Sequence, residues 1–133
     1  MAKSFKIQLN PTFQSAVEIP RVGGDPMRVT FTFKAFDRLA MARIFDKWKE
    51  QGEEMLKQMR EDTENDNPWS MEKLTTKEIE LQASQLKDVV DGWGFSDEFN
   101  DENIEALVGT AVSVTDAIME QYHEAYARAR KGN

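Results

Sequence analysis

The sequence predicts a mainly α-helical domain of about four helices fronted by an N-terminal β-hairpin, an α+β fold. Three observations carry this. Apolar residues alternate with polar ones between about residues 14 and 36, then recur at steps of three and four from Asp37 onward. Clusters of Gly, Pro, Asn and acidic residues divide the helical part. At 133 residues the chain fits a single domain, 1–133, large enough to bury a core without disulfide or metal staples.

The hairpin comes first. "SAVEIPRV" and "MRVTFTFKAF" flank "GGDP", in which glycine supplies positive φ and proline ends a strand. Val29, Phe31 and Phe33 alternate with Arg28, Thr30, Thr32 and Lys34, so one face of the second strand is apolar. A lone hairpin is marginal in water. Its apolar face must therefore lie on helices or on a second sheet supplied by another copy, and Val29, Phe31 and Phe33 are the candidate self-association residues.

The first helix is expected from Asp37, a fair N-cap, through Met41, Ile44, Phe45, Trp48, Met55, Leu56 and Met59. Gly52 predicts a kink or break in it. Charged residues, Asn and Pro in "REDTENDNPWS" predict an exposed connector near residues 61–74. Thr75 and Glu78 have capping-box spacing, which starts a second helix there, with Ile79, Leu86, Val89, Val90 and Trp93 on its apolar side. It ends in the glycines of "DGWGF". A third helix covers "ENIEALVGTA", and a fourth begins at Ser113 and runs through Ile118, Tyr122 and Ala125 toward the basic "RARKG".

The stretch "DGWGFSDEFNDENIEALV" has the look of a calcium loop, and its spacing argues against one. With Gly94 at the sixth loop position, Trp93 falls where a ligand belongs and Asn100 falls where the bidentate glutamate must be. With Gly92 there instead, Lys87 replaces the first carboxylate. Asp97, Glu98, Asp101 and Glu102 are better read as acids at the start of the third helix, where the macrodipole favours them. Trp93 and Phe95 are expected to pack a structural corner.

Charge is uneven along the chain. Residues 1–50 hold nine Lys or Arg against five Asp or Glu, whereas residues 51–133 hold eight against nineteen. Ten carboxylates and no Lys or Arg lie between Lys87 and Arg128, which disfavours nucleic acid as a partner. The imbalance serves solubility, or pairs a basic front with an acidic rear between copies. No apolar run reaches the length of a signal peptide or a membrane span, so an unexported soluble protein without a membrane partner is expected. With no cysteine, disulfides, thiolate catalysis and Cys-based metal sites are excluded.

Little chemistry remains. His123, the one histidine, stands among ordinary helix residues and reads as a surface or packing side chain. "VGGDP" lacks the lysine of a phosphate loop, and "GWGF" lacks the spacing of a dinucleotide loop. No catalytic residue, metal site or cofactor is assigned. Seven methionines and three tryptophans offer apolar surface instead. Trp48, Met55, Leu56, Met59, Trp69 and Met71 are the candidate partner-binding residues, since the thioether suits surfaces that accept varied apolar partners. The competing reading places the methionines in core or linker packing, and Trp69 equally serves to pin the connector.

The segments "VEIPRVGGDPMRVTFTFKAFDR", "FDKWKEQ", "LTTKEIELQASQLKDVVDGWGFSDEFNDENIEALV" and "YHEAYARARKGN" together resemble the tail assembly chaperone family of long-tailed bacteriophages and prophages. The resemblance runs from about Val17 onward and is carried by no catalytic motif. It implies a small, non-enzymatic, mostly helical protein of the infected or lysogenic host's cytoplasm, absent from the finished virion. It further implies binding and solubilising of the tape measure protein, recruitment of the tail tube protein, in many related phages through a longer frameshifted form, and homo-oligomers. A structural tail subunit retained in the particle is the alternative.

Overall fold

The computed structural model describes residues 10–130, together with Ile7. Its elements are β1 (Thr12–Ile19), β2 (Met27–Lys34), α1 (Arg38–Glu64), α2 (Met71–Val89), β3 (Val90–Trp93), α3 (Asp101–Val108) and α4 (Val112–Arg130). The fold is α+β, with four helices and the N-terminal antiparallel hairpin among the described residues. Lys131 and Gly132 of the basic "RARKG" lie outside them.

β1 and β2 pair from Thr12↔Lys34 to Ile19↔Met27, and the reversal between them contains Gly23 at φ 76°, in the left-handed region that glycine enters freely. The inner face carries Val17, Ile19, Phe31 and Phe33, each no more than 1% exposed. Helices of the same chain cover that face: Leu86 and Val89 from α2, Ile104 and Val108 from α3, and Val114, Ile118 and Tyr122 from α4 join it in one buried cluster. This settles what covers the hairpin. Phe31 and Phe33 are core residues with no side-chain surface to offer a second copy, and Val29 is half-buried on the same face.

The expected boundaries change in three places. α1 runs through Gly52 without a break, because a helix tolerates one glycine at a cost of about 1 kcal/mol when its neighbours are good helix formers. The connector shrinks to residues 65–70, since α1 continues to Glu64 and α2 starts at Met71. Ser70 caps α2, its hydroxyl accepting from the Lys73 N–H at 3.1 Å, so Thr75 and Glu78 lie inside the helix and form no capping box.

A further change is β3. Val89, Val90 and Trp93 continue the helical spacing of Leu86, yet from Val90 the chain is extended and adds to the hairpin: Phe31↔Trp93, Thr32↔Gly92, Phe33↔Val90. β-branched residues suit either a buried strand or a helix stripe, and here the open edge of β2 decides. The register shifts between Thr32 and Phe33. Just beyond β3 the Gly94 N–H donates to the Thr30 carbonyl at 2.8 Å, and a Cβ at Gly94 would come within 3.3 Å of that oxygen. Glycine there lets the chain close on β2 without the crowding that a side chain would bring.

Candidate partner-binding surface

α1 is the longest element, 27 residues and so about 40 Å, and none of its side chains is buried. An amphipathic helix of that length normally buries one stripe. Here the stripe is only half covered.

Its first half is fastened to the body. The Asp37 carboxylate accepts from the Ala40 N–H at 2.8 Å and caps the helix. The Tyr126 hydroxyl accepts from the Phe36 N–H at 2.6 Å and donates to the Phe36 carbonyl at 3.2 Å, clasping α4 to the start of α1. Phe45 lies against His123, with ring centroids 5.9 Å apart. Asp88 of α2 takes the Trp48 indole N–H at 2.8 Å and the Lys47 ammonium at 2.9 Å.

The second half leaves the body with the start of α2 as its companion. At the tip Asp62 accepts from the Trp69 indole at 2.7 Å, while Lys73 stands 3.7 Å from that carboxylate and 5.4 Å from the Trp69 ring centroid. The Trp69 hydrogen bond, with Gln58 and Lys73 adding to it, holds the Asp62 carboxyl below its ordinary range. Asp66, at φ 57°, reverses the chain, and the Asn67 N–H returns to the Asp62 carbonyl at 2.8 Å. Trp48 and Asp62 therefore mark the seam between the two helices, and helical spacing brings Met55 and Met59, both half-buried, onto the same side.

Along one flank of this seam runs an uncovered line. Phe45, Gly52 and Leu56 stand seven and four residues apart, which places them on one side of α1. Phe45 is 44% exposed and Leu56 54%, and a Cβ at Gly52 would meet nothing within 4 Å. The line is apolar at both ends with a notch between, and it suits another helix laid along α1, since glycine lets backbones approach.

A sequence model of the phage tail assembly chaperone family matches residues 1–133, the whole chain. The chain belongs to that family. No curated protein and no solved structure matches it. Membership gives the chaperone a general role in building phage tails and favours a non-enzymatic one, in association with other tail proteins. No helix of the described residues is long and apolar enough to cross a membrane.

The six residues singled out in the chaperone's sequence all fall on α1, the start of α2 or the turn between them. Leu56 and Met71 are open to solvent, Met71 at 76%. Met55 and Met59 are half-buried at the seam, while Trp48 and Trp69 each spend the indole N–H on an aspartate. Trp69 thus pins the helical turn. Leu39, 61% exposed, was not singled out, and neither was Phe45, which packing on His123 leaves half open. Asp88 was also missed, because sequence spacing does not reveal which carboxylate two α1 side chains will share.

The "DGWGF" stretch is a packed corner of the chaperone. Trp93 meets Phe31, Phe95 and Phe99 edge-on, with centroids 6.3, 5.1 and 5.0 Å away, and its indole donates to the Asp97 carbonyl at 2.9 Å. Asn100 caps α3, accepting from the Asn103 N–H at 2.9 Å, with Asp101 and Glu102 in the first turn as the dipole favours. Trp93 and Phe95 pack against the sheet as well as α3, which exceeds the expected helix corner.

Proposed function

We propose that this chaperone binds the tape measure protein and keeps it soluble until tail tube protein covers it, without catalysing a reaction. The observation that carries the reading is the uncovered flank of α1, Phe45, Gly52 and Leu56, with Met71 at the start of α2. A helical client with an apolar stripe would lie along that flank, and Met55 and Met59 would yield to it because the thioether adapts its shape. The net charge of −7 would keep the complex dispersed. Several copies would share one long client at modest affinity each, summed by multivalency. In this reading the chaperone acts in the host cytoplasm, self-associates, recruits tube protein, through a longer frameshifted form where one is made, and leaves before the virion is finished.

The test is co-expression with the tape measure protein, followed by size-exclusion chromatography with light scattering. The tape measure is expected in the soluble fraction only with the chaperone, co-eluting with several copies. Leu56→Ser together with Met71→Ser should weaken capture about tenfold or more, since each buried apolar side chain contributes about 1.5–3 kcal/mol. The fold should survive, because both side chains are exposed. A tape measure that stays insoluble, or capture indifferent to both substitutions, would overturn the reading. Chaperone found in purified virions would point instead to a retained tail subunit.

A further inference from the structure

The sheet has two unlike edges. In the order β1-β2-β3, β3 is a four-residue edge broken by a register shift and ended by the Gly94 turn. β1 is eight residues long, regular, and without Lys or Pro between Thr12 and Ile19. Proteins guard exposed edges with brevity, bulges, Lys or Pro, and only β3 is guarded in this way.

Hydrogen-bond parity says which groups β1 presents. Thr30 faces β3, since its carbonyl accepts from the Gly94 N–H. Successive residues of a strand point their backbone groups to opposite edges, so Phe31 and Phe33 face β1 and bond to Ser15 and Phe13. The Ala35 N–H donating to the Pro11 carbonyl at 3.0 Å continues that parity. The N–H and C=O groups of Thr12, Gln14, Ala16 and Glu18 therefore point outward, and among the described residues none of them has a backbone partner.

We propose that this edge pairs, antiparallel and about a two-fold axis at Ser15, with β1 of a second copy, joining two three-stranded sheets into one. The inference rests on the self-association reading above and specifies its surface. The edge is self-complementary: with the axis at Ser15, Gln14 opposes Ala16 of the other copy and Thr12 opposes Glu18, so every outward residue meets another outward residue. Moving the axis to Ala16 leaves Thr12 without a partner. Moving it by half a residue sets inward side chains against outward ones, which the pleat forbids. Small residues, Ser15 and Ala16, stand at the crossing. Each Glu18 stays on Arg28 of its own chain at 3.1 Å, and the two Glu18 residues lie about 20 Å apart.

The test is light scattering across a concentration series of the full chain and of Ala16→Pro. Proline at position 16 removes an outward N–H and leaves the β1–β2 ladder intact, as edge positions allow. The expected result is a dimer for the unsubstituted chain and a monomer for Ala16→Pro, with unchanged far-ultraviolet circular dichroism. As a check that needs no disruptive variant, a nitroxide on Glu18→Cys in this cysteine-free chain should report one distance near 20 Å, broadened by the label tether. Self-association that survives Ala16→Pro, or a label distance far from that value, would overturn the β1 interface while self-association itself stands. A monomer at every concentration would overturn both.

Discussion

Two tyrosines one helical turn apart hold the last helix to the first. Tyr126 satisfies both backbone groups of Phe36, and Tyr122, fully buried, donates to the Lys34 carbonyl at 3.1 Å while its ring lies 5.2 Å from that of Phe33. Tyr126→Phe leaves the Phe36 N–H and C=O without that partner, so it should cost about 1–3 kcal/mol in denaturant unfolding. Burial, reinforced by Tyr126, pushes the Tyr122 phenol far above its ordinary value of 10.0. The unfolded chain therefore releases this proton before the folded one does. Stability is then unaffected by this group below about pH 10 and falls as pH rises beyond it, because the unfolded state binds fewer protons. Thermal melts from pH 8 to 12 should show a steeper alkaline decline for the natural chain than for Tyr122→Phe. The sequence placed Tyr122 on a helix stripe correctly. It could not show that its hydroxyl reaches a carbonyl 88 positions earlier, because periodicity fixes a face and leaves its partner open.

At the scale of elements, α1 sets its internal stability against the surface it offers. Gly52→Ala adds a methyl that meets nothing and removes a flexible residue from a helix interior, so it should raise stability by about 0.5–1 kcal/mol in chemical denaturation. The same methyl fills the notch between Phe45 and Leu56, so client capture should weaken even as the denaturation midpoint rises. A gain in both would remove Gly52 from the docking line. Most of the hairpin and the four helices could be read from alternation and three-to-four spacing, and Asp37 was the correct cap. β3 could not, since Val89, Val90 and Trp93 follow the helical period, and Val90 and Trp93 reach one face of the sheet only through the register shift against β2. The start of α2 was misplaced for a similar reason. Ser70 and Thr75 both have side chains able to cap, and the Asp62–Trp69 bond holds the turn so that the earlier one is used.

For the whole molecule, one buried cluster draws on all three strands and on α2, α3 and α4, while α1 adds only half-buried side chains to it. The chaperone is thus a closed body carrying a long helix whose first half is fastened to it, at Phe36 and Asp88, and whose far end is tied at Asp62 to the turn before α2. The acids without basic neighbours in sequence lie on the body, since the ten carboxylates between Lys87 and Arg128 fall from the end of α2 to α4, whereas α1 carries six Lys or Arg against seven Asp or Glu. The position of α4 in the chain has a kinetic consequence. Tyr122 reaches back across 88 residues to Lys34, so at about 5–20 residues per second the ribosome makes the hairpin on the order of 5–20 s before the helix that covers it. Throughout that interval the cover over Phe31 and Phe33 lacks the share that α4 supplies, Val114, Ile118 and Tyr122, and closing so long a loop must precede the contacts that reward it. The core is thus completed only when the last helix returns, and until then each newly made chain leaves part of the apolar hairpin face uncovered.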